Sequence, residues 1–190
     1  MPELGKRMKM HSLAGNFLIA SPGLEDPHFS QTVVLICSHT EDGAFGIVIN
    51  RVIAQSLQPH LFGFALDRCT VDMPVYNGGP VQPEQGFILY APFRKKYGLL
   101  NIGKSIGVTS SRDLFQDILN GKGPESYLFS LGHSGWDANQ LEEELMTDSW
   151  LVVPMDADIV FSVKPAERWR YAARLIGVDF HRYSERSGNA

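Results

Sequence analysis

The stretch TVVLICSHTEDGAFGIVIN, Thr32–Asn50, decides the fold class. Its first part, Thr32–Ser38, is almost continuously apolar and β-branched, as a strand buried on both faces should be. Glu41-Asp42-Gly43 supplies turn residues, and Ala44–Asn50 resumes the apolar pattern. Two such runs joined by a short turn predict an antiparallel hairpin. Working outward, the same signature recurs at Asn16–Ala20, Pro74–Asn77, Gly86–Ala91, Leu99–Ile102 and Ile106–Thr109. Gly78-Gly79-Pro80 and Gly103-Lys104-Ser105 break the chain between runs.

Helices are read from the 3.6-residue period. Ser111–Asn120 places Leu114, Phe115, Ile118 and Leu119 on one face, with Gly121 as a C-terminal stop. Asp137–Thr147 opens on the pair Asp137 and Gln140, a capping arrangement, and spaces Leu141 and Leu145 four apart. Pro165–Ile176 begins with a first-turn proline, carries Trp169, Ala172, Ala173 and Ile176 on one stripe and stops at Gly177. A weaker helix is predicted around Pro59–Leu66. Hairpin-connected strands followed by single helices give an α+β fold with a bent, mainly antiparallel sheet flanked by three to four helices. Neither a repeat nor a linker divides the chain, so residues 1–190 are expected to form a single domain.

Composition narrows the function. With 190 residues, 44% hydrophobic and 20% charged, the chain fits a water-soluble globular protein. Its formal charge of −4 lacks the basic excess that phosphate backbones demand. Arg94-Lys95-Lys96 is one small basic patch, and direct sequence-specific DNA binding is not expected. No two consecutive helices joined by a short turn are evident, which also argues against a helix-turn-helix. Lys6, Arg7 and Lys9 precede Leu13–Ala20 as in an export signal, but Gly15 and Asn16 interrupt the apolar run. No run reaches the length of about 18 apolar residues that a spanning helix needs. A cytoplasmic location is expected, and the paucity of cysteine (Cys37 and Cys69, with no CxxC) agrees with a reducing compartment.

The segment SLGHSGWDANQLEEEL, Ser130–Leu145, imitates a serine-hydrolase elbow, but the imitation fails on spacing. An elbow needs small residues two before and two after the nucleophile, and Trp136 stands two after Ser134. Cys37-Ser38-His39 has no second half for a metal site, so no metal and no cofactor is expected. Glu142-Glu143-Glu144 read as a solvated helix face. Gly78-Gly79 lacks the lysine and the spacing of a phosphate loop.

The ordered blocks FLIASPGLEDPHF (Phe17–Phe29), VVLICSHTEDGAFGIVINR (Val33–Arg51), GGPVQPEQGFILY (Gly78–Tyr90), TSSRD (Thr109–Asp113), LGHSGWDANQLEEEL (Leu131–Leu145) and AERWRYAARLIGVD (Ala166–Asp179) resemble the bacterial YqgE/AlgH family over nearly the whole chain. The resemblance implies a compact α+β fold with a bifurcated, partly barrel-like antiparallel sheet. It implies no established activity, although members carry the label of transcriptional regulators. His133 and Ser134 depart from the aromatic and small apolar residues expected of the family there, and Asp137 and Asn139 depart from its glycine-rich helix start.

The reading is therefore a non-enzymatic protein that binds a small molecule or a protein partner and influences transcription indirectly. The alternative is a hydrolase or transferase using a pocket near Gly132–Trp136. The expected pocket joins three turns, at Asn50-Arg51, Asn77–Pro80 and Gly132–Trp136, and comprises Asn50, Arg51, Asn77, Gly78, Gly79, His133, Trp136 and Gln140. Asn50, Asn77 and Gln140 would offer neutral hydrogen-bonding groups, and Trp136 an apolar wall.

Overall fold

The computed structural model describes residues 11–57 and 72–180. In chain order the elements are β1 (Asn16–Ala20), β2 (Val33–Thr40), β3 (Gly43–Val48), β4 (Val52–Ala54), β5 (Val75–Asn77), β6 (Val81–Ala91), β7 (Leu100–Ile102), β8 (Ile106–Thr109), α1 (Arg112–Leu119), β9 (Ser126–Asp137), α2 (Gln140–Met146), β10 (Trp150–Pro154), α3 (Ala157–Phe161) and α4 (Pro165–Arg174). The strands form one curled sheet in the order β10-β1-β2-β3-β9-β6-β8-β7, and β4 and β5 branch from it at β9. Among the described strands the pairings are antiparallel, except that β5 runs parallel to β9. The fold is α+β, and the β2–β3 hairpin is present as the sequence predicts.

Alternation along the strands assigns the layers. Phe17 and Ile19 of β1, with Val33, Leu35 and Cys37 of β2, face a core closed by α3 and α4 through Ile159, Val160, Ala172 and Ala173. Leu18 and Ala20, with Val34 and Ile36, face the opposite way onto Leu141 of α2 and the indoles of Trp136 and Trp150. Burial on both faces explains why these strands read as continuous apolar runs. Each fully buried Leu, Ile or Phe there contributes roughly 1.5–3 kcal/mol. Farther along the sheet, Ile88 and Tyr90 of β6 and Phe129 of β9 pack on Leu114, Phe115 and Ile118 of α1. One face of the sheet thus carries a continuous core, and the other splits between α1 and α2.

The split is made inside β9. Phe129 and Leu131 face α1, whereas Trp136 faces α2. Odd and even residues exchange faces between them, which requires one extra residue. Gly132 supplies it at φ 70, and the register against β6 shifts between Val81 and Gly86.

Three expectations are corrected. Gly132–Trp136 is not a turn leading to a helix; it is the interior and end of β9, whose ladder with β3 continues to Asp137. The helix begins at Gln140, so Asp137 does not cap it. Asn139 occupies the cap position with φ 67 and no side-chain bond. Gln140 still reaches back, its Oε1 accepting the Asp137 N–H at 3.0 Å. α3 and α4 are consecutive helices joined only by Ser162, Val163 and Lys164, an arrangement the short Ala157–Phe161 run concealed. Two short strands, β4 and β10, add to those the sequence predicts. The helix expected around Pro59–Leu66 lies outside the described residues. Among those described, no helix is long and apolar enough to cross a membrane.

Candidate functional site

The double glycine between β5 and β6 lies directly against β9. The Gly78 N–H donates to the Leu131 carbonyl at 2.7 Å, and the Gly78 carbonyl accepts from Val48 N–H at 2.9 Å and from Ser134 Oγ at 3.2 Å. Asn77 N–H donates to the Arg51 carbonyl at 2.8 Å, and Asn77 Oδ1 accepts from Gly79 N–H at 3.1 Å. A Cβ on Gly78 would stand 2.3 Å from the Gly132 carbonyl oxygen, and one on Gly79 as close to the His133 carbonyl. These glycines are required by backbone approach, not only by turning.

His133 follows on the same strand. Its ring packs between Phe45 (centroids 4.9 Å apart) and Phe87 (5.5 Å), and its buried Nδ1 has no hydrogen-bond partner among the described residues. Burial holds its pKa below the usual histidine value, because the charged form loses water there. Ser134 is fully buried, and its hydroxyl is bound to backbone. It holds β9 to the Gly78 turn and presents no nucleophile to solvent.

The other expected pocket residues divide between two further places. Trp136 is buried in the α2 layer, where its Nε1 donates to Glu144 Oε2 at 2.8 Å. Trp150 Nε1 donates to the same oxygen at 2.7 Å, and Gln140 Nε2 to Oε1 at 2.9 Å. Glu142 pairs with His39 Nε2 at 2.9 Å. Two of the three glutamates read as a solvated face are therefore structural partners, and only Glu143 fits that description. Asn50 and Arg51 instead secure the loop before β2. Asn50 accepts from Val33 N–H at 2.9 Å and donates to the Gln31 carbonyl at 2.8 Å. Arg51 donates to the carbonyls of Pro27 (2.7 Å) and Ser30 (2.9 Å). Asn77, Gly78, Gly79 and His133 come together; Arg51 reaches this group through its carbonyl, and Trp136 and Gln140 belong to the α2 side.

Two concave regions stand beside the glycine junction. The larger, about 650 Å³, is a groove between β6, β9 and the start of α1. Ile88, Phe115, Phe129 and Leu131 form its apolar floor; Glu84 and Gln85 edge one side, and Ser110, Ser111 and Arg112 the other. Ser111 caps α1, its hydroxyl accepting from Leu114 N–H at 3.4 Å. The smaller, about 480 Å³, lies between the β4–β5 pair and the start of α4 and includes Asn50, Tyr76 and Lys164. Apart from Asn50, the expected pocket contains none of these lining residues. The TSSRD block was the available signal for the larger groove. Among the described residues, no group of three or more His, Cys, Asp or Glu is placed to hold a metal ion.

The family model described as AlgH-like matches residues 17–181. The chain belongs to the AlgH-like family. Its relatives include the UPF0301 protein of Nitrosococcus oceani, 43% identical with 92% of this chain and 95% of that protein covered. The UPF0301 protein of Dechloromonas aromatica is 44% identical, with 94% and 98% covered. The solution structure of the AlgH protein from Pseudomonas aeruginosa is 38% identical and superposes with a TM-score of 0.77 over 98% of this chain and all of that one. The crystal structure of protein DIP2367 from Corynebacterium diphtheriae is 17% identical with a TM-score of 0.68, covering 85% of each chain, and shares the fold.

Proposed function

We propose that this AlgH-like protein is a cytoplasmic, non-enzymatic binding protein whose ligand, a small molecule or a short partner segment of mixed polarity, seats in the groove between β6, β9 and α1. The observation that carries the reading is the groove's make-up: an apolar floor with polar groups along both edges, in the size range of small-molecule sites. The hydrolase reading loses its nucleophile, because Ser134 is sealed and hydrogen-bonded to Gly78. Influence on transcription then runs through the bound partner. A second reading, direct nucleic-acid contact, is favoured by one feature: Lys164, Arg170 and Arg174 are exposed on or beside α4, which follows α3 after a short turn.

Thermal-shift screening of the purified chain against metabolites, with mass spectrometry of whatever co-purifies, tests the proposal. Ser110→Trp is designed to fill the groove from an exposed position. It should abolish the stabilising shift while leaving the unliganded melting temperature within about 2 °C. Hits that survive Ser110→Trp place the ligand elsewhere. Labelling of Ser134 by a fluorophosphonate, lost in Ser134→Ala, would instead support catalysis. Sequence-specific retention of duplex DNA, weakened by Arg170→Ala, would support the second reading.

A further inference from the structure

The ring of His39 commits its two nitrogens to different elements. Leu13 N–H donates to Nδ1 at 3.0 Å, and Nε2 faces Glu142 Oε1 on α2 at 2.9 Å. Ser12 adds a hydroxyl bond to the His39 carbonyl at 3.0 Å, and Gly15 N–H donates to the Ile36 carbonyl at 2.8 Å. Residues Ser12–Gly15 thus form a strap along β2 beyond the point where its pairing with β1 ends, at Leu35. His39 itself is buried.

A backbone donor on Nδ1 fixes the tautomer. Nδ1 must offer a lone pair, so the ring proton sits on Nε2 and is donated to the Glu142 carboxylate. The neutral ring satisfies both partners. A second proton, on Nδ1, would place two N–H donors face to face, and the Leu13 bond cannot survive it. Around this ring, Glu142 is the facing charge from α2. Asp137 ends the neighbouring β9, Glu41 and Asp42 form the β2–β3 turn, and His11 precedes the strap, while β3 contributes Ala44 opposite His39.

We propose that His39 is a pH-operated latch: protonation of Nδ1 breaks the Leu13 bond and loosens the strap at that point, while the Ser12 bond to the His39 carbonyl and the Glu142 pair persist. The Leu13 N–H then loses its partner on β2, and the strap keeps its ties at Ser12 and Gly15. The latch is independent of the groove and of what binds there.

Nuclear magnetic resonance of the full chain across pH tests this. At neutral pH the ring nitrogens should report the Nε2–H tautomer, with the Leu13 amide protected from exchange. As His39 titrates, Leu13 protection relative to Gly15 should fall about tenfold, the effect of one hydrogen bond. Glu142→Gln keeps an acceptor for Nε2–H and should leave the tautomer at neutral pH unchanged. His39→Gln can accept from Leu13 and donate to Glu142 without titrating, and should hold the strap at every pH. A proton on Nδ1 at neutral pH overturns the proposal. So does Leu13 protection that ignores the His39 titration, or release over the same range in His39→Gln.

Discussion

Polar residues that suggest chemistry in the sequence mostly carry architecture here. Glu144 binds two indoles and an amide, Ser134 secures a glycine turn, and Asn50 and Arg51 hold a loop by its carbonyls. His133 differs, because its buried Nδ1 is unpaired among the described residues and its pKa is held down by desolvation. The sign of its effect on stability follows. The folded-state pKa lies below the unfolded value, about 6.5, so the unfolded chain takes up the proton first as pH falls. His133 therefore subtracts stability below that pH and has no such effect above it. His133→Phe keeps an aromatic ring between Phe45 and Phe87 and removes the titration. Its urea midpoint should decline less than that of the parent chain between neutral pH and about pH 5. Equal declines would show that burial does not perturb this ring.

At the level of elements, sequence and structure agree wherever local pattern sets the outcome. The bounds of β1 and β8 coincide with the apolar runs, the β2–β3 hairpin follows from its turn, and Ser111 and Gly121 bracket α1. They part at β9. Gly132 and Gly135 read as a turn, but a glycine is demanded equally where another backbone closes in, and period alone cannot distinguish the two. The structure shows the strand in the alternation of buried Ser134 and Trp136 with exposed Gly135, which a polar serine does not announce in the sequence. The expected pocket shared this weakness, since its residues were linked by glycine turns and not by knowledge of which strands adjoin. The two demands on glycine are separable by mutation. At Gly79, φ is 144 and a Cβ would lie 2.3 Å from the His133 carbonyl. At Gly121, φ is 68 with nothing within 4 Å. Gly79→Ala should cost more than about 4 kcal/mol and leave little folded protein. Gly121→Ala should cost about 1 kcal/mol, the strain of a left-handed alanine. Similar losses in a denaturation series would contradict the close approach at Gly79.

Across the whole molecule, the α3–α4 unit has to be fixed to a sheet whose strands come from distant parts of the chain. Ala172 and Ala173 let α4 settle closely on β1 and β2, and Trp169 Nε1 donates to the Ala20 carbonyl at 2.9 Å. Arg168 ties three regions together. Its Nε donates to Val163 at the helix junction at 2.9 Å, its Nη1 to the Ile49 carbonyl after β3, and its guanidinium lies 5.3 Å from the ring centre of Tyr76 on β5. Burial pushes its pKa below the ordinary arginine value, yet a guanidinium stays charged throughout the physiological range. Removing it strands buried carbonyls and opens a cavity in one step. Arg168→Ala should therefore lower stability by roughly 3 kcal/mol. Arg168→Lys should recover little of this, because an ammonium cannot span the carbonyls of Val163 and Ile49 with a planar fork while lying on Tyr76. Urea unfolding should show a lower midpoint with an unchanged slope in both variants, as expected for one cooperative unit. A decreased slope, or loss of the Trp169 signal before that of the remaining tryptophans, would mean that α3 and α4 detach on their own.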